Sequence, residues 1–130
     1  MARGGRAVLL AGPSGSGKSD LALRLIDRGW KLVADDRTRL TIDRDRLLAD
    51  VPATIAGKLE VRGLGIVELP HETCVPVALH VRLGAAGERL PDPDDRIDLL
   101  GCAIRSIGLD ARAPAAAIVV ERALDLAKQG

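Results

Sequence analysis

The sequence GPSGSGKS, at residues 12–19, fits the phosphate-loop pattern G-x-x-x-x-G-K-[ST]. The pattern assigns nucleotide binding to Gly12, Pro13, Ser14, Gly15, Ser16, Gly17, Lys18 and Ser19. Glycines let the backbone curl round an anion, the lysine reaches the β- and γ-phosphates, and the final serine hydroxyl can ligate Mg²⁺. The alternative is a chance glycine-rich turn, but this composition gives only roughly 0.003 expected matches over the chain. We therefore expect a nucleotide site here.

The residues on either side of this loop match the context that the pattern requires. Residues 7–11 are a continuous apolar run between glycines, which predicts a buried strand. Residues 20–28 carry apolar side chains four apart and precede Gly29, which predicts a helix that ends there. Residues 31–34 predict a second short strand, so that strand, loop, helix and strand form a βαβ unit with parallel strands.

Two carboxylates, Asp35 and Asp36, directly follow that second strand. If it lies beside the first strand, they emerge at the carboxyl edge of the sheet, where the loop binds phosphate. A carboxylate there can hold Mg²⁺ or accept a proton from an attacking hydroxyl. An ordinary acidic turn after a strand is the alternative interpretation.

The remaining chain predicts a β-rich middle and one more helix. Residues 40–49 predict a hairpin with its turn at 43–46, and the period-two alternation of residues 75–83 predicts a strand. Pro76 favours an edge position or a strand beginning for that segment. Residues 85–98, rich in prolines and acids, predict a surface loop.

A final helix is expected from Pro114 to about Lys128, with an apolar stripe through Ile118, Val119, Leu124 and Ala127. No repeat or linker interrupts the sequence. The fold class is therefore α/β: a P-loop nucleotide-binding core with a mixed β-sheet and few helices, in a single P-loop kinase domain over residues 1–130.

Composition excludes several function classes. The net charge of +1 gives no global attraction to nucleic acid or an anionic membrane, and with one Trp, no Tyr and no Phe the chain lacks stacking platforms for bases, so we expect no nucleic-acid partner. No segment approaches the roughly 20 apolar residues of a membrane span, and no signal peptide is evident. Cys74 and Cys102 have no metal-site spacing and are expected to be reduced. We expect a cytoplasmic protein.

Three further segments, LALRLIDRG (21–29), LVADD (32–36) and LEVRGLGIVEL (59–69), together with the loop, resemble the catalytic domain of HPr kinase/phosphorylase. The resemblance continues weakly through ERLPD (88–92) into the last helix. It implies a Mg²⁺- and ATP-dependent protein serine kinase that phosphorylates HPr, a phosphocarrier of the sugar phosphotransferase system, or an HPr-like protein. It also implies a ring-like homo-oligomer for the long members of the family and leaves the state of short members open.

The resemblance also implies roles for particular residues. Asp35 corresponds to the proton acceptor for the serine hydroxyl and Lys18 to the phosphate-loop lysine, while Arg89 is the counterpart of a catalytic arginine. The implied Mg²⁺ ligands are Ser19 and Glu60, and Asp36 is a further candidate. From the residues alone, the favoured interpretation of the Glu60 segment is a plain glycine-bent strand with a solvated ion pair, and that of Arg89 is a solvated surface residue.

Two departures from the family pattern bear on the reverse reaction. Residues 1–11 hold no histidine, and the segment before the last helix reads DARAPA (110–115) where the family has a glycine-arginine pair. We therefore expect little or no phosphorylase activity, although Arg112 can in principle replace that arginine. Two other functions stay open: a small-molecule P-loop kinase, and a non-catalytic module that senses nucleotide and binds a partner protein.

Overall fold

The fold is known from a computed structural model, which describes residues 1–13, 15–33, 38–51, 56–61, 63–84 and 96–127. The described residues form nine strands and two helices. The helices are α1 (Lys18–Asp27) and α2 (Ala116–Ala127). The strands are β1 (Ala2–Arg3), β2 (Arg6–Ala11), β3 (Arg39–Asp43), β4 (Arg46–Asp50), β5 (Lys58–Val61), β6 (Gly65–Glu68), β7 (Val75–Leu83), β8 (Arg96–Leu99) and β9 (Cys102–Leu109).

Strand β7 is the centre of a seven-stranded mixed sheet. It pairs in parallel with β2 and β9 and antiparallel with β4, while β1, β3 and β8 join the sheet through antiparallel partners. Because β2, β7 and β9 are parallel, their carboxyl ends meet at one edge of the sheet. The predicted α/β class with a mixed sheet and few helices is confirmed.

The expected βαβ unit is wrong in its second strand. Lys31 and Leu32 form only isolated bridges, to Ala2 and His71 respectively, and the parallel neighbour of β2 is β7. The nine residues of β7 offer a long apolar run that is mostly buried, whereas the described part of the 31–34 segment offers only three residues. Longer pairing satisfies more backbone groups and buries more apolar surface, so β7 takes the place beside β2.

Both helices pack on one face of the sheet and enclose its main apolar core. This core includes Leu21 and Leu25 of α1, Leu79 and Val81 of β7, and Leu124 of α2, all fully buried. The predicted stripe of α2 is partly wrong, because Ile118 and Val119 are 47% and 41% exposed. The buried residues are instead Ala116, Ala117, Val120, Ala123 and Leu124. Four of these five are small, which lets α2 lie close to the sheet and α1.

The β-rich part of the chain contains the hairpins β3–β4 and β5–β6 and the strands β7, β8 and β9. The predicted hairpin is confirmed as β3–β4, with positive φ at Arg44 and Asp45 in its two-residue turn. The glycine-containing 59–69 stretch is also a hairpin, β5–β6, rather than one bent strand. Most of the predicted 85–98 loop lies outside the described residues, but its residues 96–98 belong to strand β8. Strand β9 was not predicted. Pro76 lies at the beginning of a central strand, so the edge alternative is excluded.

Candidate active site at the phosphate loop

The loop between β2 and α1 crosses the carboxyl ends of the parallel strands. At its start, a Cβ added to Gly12 would lie 3.1 Å from the Cβ and the carbonyl oxygen of Leu83, the last residue of β7. The same Cβ would lie 2.7 Å from the Oγ of Ser16, on the other side of the loop. The first glycine is therefore required by close packing, and it sets the loop directly on the edge of the sheet.

The end of the loop is set against the turn that follows β9. Gly17 is the N-cap of α1 and has φ 92, and an added Cβ would lie 3.0 Å from the Cβ of Ala111. No side chain caps the helix, so its first N–H groups face the loop without a side-chain acceptor. Those N–H groups carry the positive end of the helix dipole, which favours an anion at this point.

Ser16 adds an unused polar atom to this concave loop. Its N–H donates to the carbonyl of Pro13 at 3.1 Å, but its Oγ is buried and has no hydrogen-bond partner among the described residues. A buried hydroxyl without a partner costs about 1–3 kcal/mol, which a phosphate oxygen would relieve. Lys18 is half-buried and Ser19 is exposed beside it. The cradle, the open helix end and the free hydroxyl together fit a phosphate group.

The turn from Asp110 to Ala115 lies beside the loop and is anchored to α1. Arg24 donates from Nη2 to the carbonyl of Ala111 and from Nη1 to the carbonyl of Ala113, the latter at 3.3 Å. The N–H of Arg112 donates to Asp110 Oδ1 at 3.0 Å, and its Nη2 donates to the carbonyl of Gly15 at 2.8 Å. The sequence pointed to Arg112 but held no signal for Arg24, because its partners lie almost ninety residues away.

Several predicted site residues lie outside the described part of the chain. They are Ser14, Asp35, Asp36 and Arg89, and the side chain of Glu60 is likewise not described, although its backbone is part of β5. Among the described residues, no group of three or more His, Cys, Asp and Glu side chains could hold a metal ion. The proton acceptor, the arginine and the carboxylate ligands of Mg²⁺ therefore stay predictions.

A second polar cluster ties β7 to β9 near the same edge. His80 Nδ1 lies 3.0 Å from Ser106 Oγ, and Arg82 donates to that Oγ at 2.7 Å. Burial, and then the charge of Arg82, lower the pKa of His80, so the imidazole is neutral at pH 7. His80 is buried in the sheet.

Comparison with known families adds to this geometry. Residues 4–73, more than half of the chain, match the family model described as the HPr Serine kinase C-terminal domain. The chain belongs to this family. The match covers the loop, α1 and the β5–β6 hairpin.

Individual relatives agree with the family model. The HPr kinase/phosphorylase of Geobacillus kaustophilus is 37% identical over 95% of this chain and 41% of its own length. That of Bordetella pertussis is 38% identical over 92% of this chain and 44% of its own length. The solved Hpr(Ser) kinase/phosphatase from Coxiella burnetii superposes with a TM-score of 0.78 at 27% identity, covering 95% of this chain and 90% of that one. The chain thus spans about four-tenths of the length of these curated relatives.

Neither helix in the described ranges is long and apolar enough to cross a membrane.

Proposed function

We propose that this chain is a Mg²⁺- and ATP-dependent protein serine kinase domain that phosphorylates HPr or an HPr-like phosphocarrier. The observation that carries the proposal is the close packing of Gly12 and Gly17, together with a Ser16 hydroxyl and a start of α1 that have no side-chain partner among the described residues, in a member of the HPr kinase family. The relatives named HPr kinase/phosphorylase support HPr as the acceptor.

The proposed reaction is an in-line transfer. The serine hydroxyl of HPr forms a bond to the γ-phosphorus of ATP while the bond to the β-phosphate oxygen breaks, which gives phosphoserine and ADP. Asp35 accepts the hydroxyl proton, and Lys18 and Arg89 balance the charge on the phosphoryl oxygens. Ser19, Glu60 and Asp36 would hold Mg²⁺, which neutralises charge on the β- and γ-phosphates when bound.

The direct test is transfer of labelled phosphate from ATP to purified HPr, with an HPr variant that lacks the acceptor serine as control. Label on HPr but not on the variant is the expected result. Label on a small metabolite only would favour a small-molecule kinase instead. ATP binding without transfer to either acceptor would favour the nucleotide-sensing module. These outcomes separate the three functions that the sequence left open.

The role of Asp35 has its own test. Asp35→Asn is expected to keep ATP affinity within a few-fold and to slow transfer by about 100-fold or more, because a positioned base contributes on that scale. Asp36→Asn is the matched control and should cost less, or raise the Mg²⁺ concentration needed for half-maximal rate. A shift in the Mg²⁺ requirement for Asp35→Asn alone would make Asp35 a metal ligand rather than the base.

We also propose that the reverse, phosphorylase reaction is weak. In that reaction inorganic phosphate attacks phosphoserine, and serine and pyrophosphate leave. The motivation is the DARAPA segment at residues 110–115, which lacks the glycine-arginine pair of the family. Pyrophosphate release from serine-phosphorylated HPr at a rate comparable to the forward reaction would contradict this. A single domain over residues 1–130 and a cytoplasmic location stay predictions.

A further inference from the structure

One peptide group of the phosphate loop is bound from both sides. The peptide that joins Gly15 to Ser16 is trans, so its carbonyl and its N–H point in opposite directions. The N–H donates to the carbonyl of Pro13 within the loop, at 3.1 Å. The carbonyl accepts from Arg112 Nη2 at 2.8 Å, from a residue 97 positions along the chain. The orientation of this peptide is therefore fixed by an inner contact and an outer one.

The outer contact comes from a turn that has little freedom to move. Arg24 holds it to α1 through the carbonyls of Ala111 and Ala113, and Ala111 is buried against Gly17. The bond from the Arg112 N–H to Asp110 Oδ1 fixes the turn internally. Arg112 itself is exposed, so its guanidinium reaches the loop from the solvent side.

Gly15 is the residue about which this peptide could rotate. It has φ 83, and a Cβ added there would meet nothing within 4 Å, so packing does not restrain the glycine. A rotated peptide would turn its carbonyl oxygen into the concave side of the loop, where it would repel a phosphate. Two hydrogen bonds among the described residues oppose that rotation, and Arg112 supplies the one on the carbonyl side.

We propose that Arg112 is a positioning residue for nucleotide binding: it holds the Gly15 carbonyl outward and so keeps the phosphate loop in its anion-binding shape. This inference rests on the proposed function, because it takes the ligand of the loop to be a nucleotide. Arg112 would hold the Gly15 carbonyl in the same orientation whether or not a nucleotide is bound. It differs from a catalytic arginine, which would touch the transferred phosphoryl group and act only in the transition state.

The two roles separate in a comparison of binding with turnover. Arg112→Ala should raise the dissociation constants of Mg-ADP and Mg-ATP together, by about 5–10-fold, the scale of one lost hydrogen bond. The kcat for transfer to HPr should change less than about 3-fold, so the loss appears in KM for ATP. Arg112→Lys, which keeps a cationic donor, should recover most of the affinity. Arg122→Ala, an exposed arginine of α2, is the control for the change in net charge.

A measurement without ligand completes the test. Amide hydrogen exchange at Ser16 should quicken in Arg112→Ala, because a peptide without its outer restraint rotates more often and so breaks the bond from the Ser16 N–H to the Pro13 carbonyl more often. A kcat loss of about 100-fold with unchanged ADP affinity would overturn the proposal in favour of a catalytic arginine. Unchanged exchange and affinity would overturn it as well. If the unmodified protein failed to bind ADP, the proposed function itself would fall, which is a distinct result.

Discussion

The two ends of helix α1 differ in how completely their polar groups are hydrogen-bonded. At its C-terminal end, the N–H groups of Gly29 and Trp30 close onto the carbonyls of Ile26 and Leu25, with Gly29 at φ 96. This is the Schellman arrangement, and it leaves few carbonyls unpaired. At the N-terminal end, Gly17 caps the helix without any side-chain bond, and the hydroxyl of Ser16 has no described partner.

Side chains repeat this contrast. At the C-terminal end, Glu121 of α2 accepts from Arg28 at 2.7 Å and 3.0 Å and from the indole of the buried Trp30 at 3.0 Å. At the N-terminal end, Arg112 donates to the backbone carbonyl of Gly15 at 2.8 Å. The turn that carries Arg112 is held by Arg24, which reaches the carbonyls of Ala111 and Ala113 from the last turn of α1. Satisfied groups stabilise the first region, while unsatisfied groups make the second a candidate binding site. Substitutions at the two ends should therefore separate stability from activity.

The largest effect is expected at the N-terminal end, for Lys18. Lys18→Ala should lower the rate of transfer by about 100- to 1,000-fold and weaken ATP binding, because the phosphates lose their nearest loop cation. Lys31→Ala is the matched control just beyond the other end of the helix, where the exposed ammonium forms an ion pair with the half-buried Glu72 at 3.6 Å. Titration calorimetry and the transfer assay measure both quantities. Equal losses of ATP affinity and transfer rate in the two variants would show that the two ends of α1 do not differ in function.

A smaller effect, on stability alone, is expected at the C-terminal end for Glu121. The hydrogen bonds from Arg28, together with those from Trp30, lower the pKa of Glu121 from 4.5 to about 2. A lowered pKa contributes stability that is complete above pH 4.5 and is lost as the pH falls towards 2. Glu121→Gln should therefore cost about 1–3 kcal/mol of unfolding free energy at pH 7 and much less at pH 2.5.

Urea unfolding of both proteins at the two pH values checks the Glu121 prediction. Nucleotide affinity, measured at pH 7 as the control, should be unchanged because the carboxylate lies at the far end of α1 from the loop. An identical stability loss at both pH values would mean that the charge of Glu121 does not matter. A loss of affinity would mean that the two ends are coupled.

The smallest effect separates two glycines of similar conformation. Gly17 and Gly29 flank α1 with φ 92 and 96, so Gly17→Ala and Gly29→Ala should each cost about 1 kcal/mol through backbone strain. Only at Gly17 does the new Cβ meet a neighbour, Ala111, at 3.0 Å. Gly17→Ala alone should therefore also weaken ADP binding, by about 10-fold. Equal ADP affinity in the two variants would show that the contact with the turn does not shape the loop.

The sequence predicted those parts of the molecule whose determinants are contiguous. The limits of α1 and the β3–β4 hairpin each depend on glycines, polar turns and periodicity within a few residues. The roles of Asp35 and Asp36 were predicted from their position after a strand and then from family resemblance, whereas those of Glu60 and Arg89 came from the resemblance alone, and all four stay predictions.

Features set by distant contacts could not be predicted in the same way. Two segments could pair with β2, residues 31–34 and β7, and β7 pairs because its longer run of residues forms more hydrogen bonds and buries more apolar surface. A turn at Leu100 connects β8 to β9, and Leu100 has a positive φ of 53. Leucine rarely adopts a positive φ, so residue preferences gave no sign of a turn at this position. The contacts of Arg24 and Arg112 link residues 87 to 97 positions apart, and no local pattern encodes them.

The most direct test of the account is a map of amide chemical shifts as Mg-ADP is added to the intact protein. The account predicts saturable changes at Gly12, Gly15, Gly17 and Lys18, with smaller ones at Arg112, and almost none at Gly29 or the indole N–H of Trp30. Changes centred on the C-terminal end of α1, or no saturable change at the loop, would contradict it.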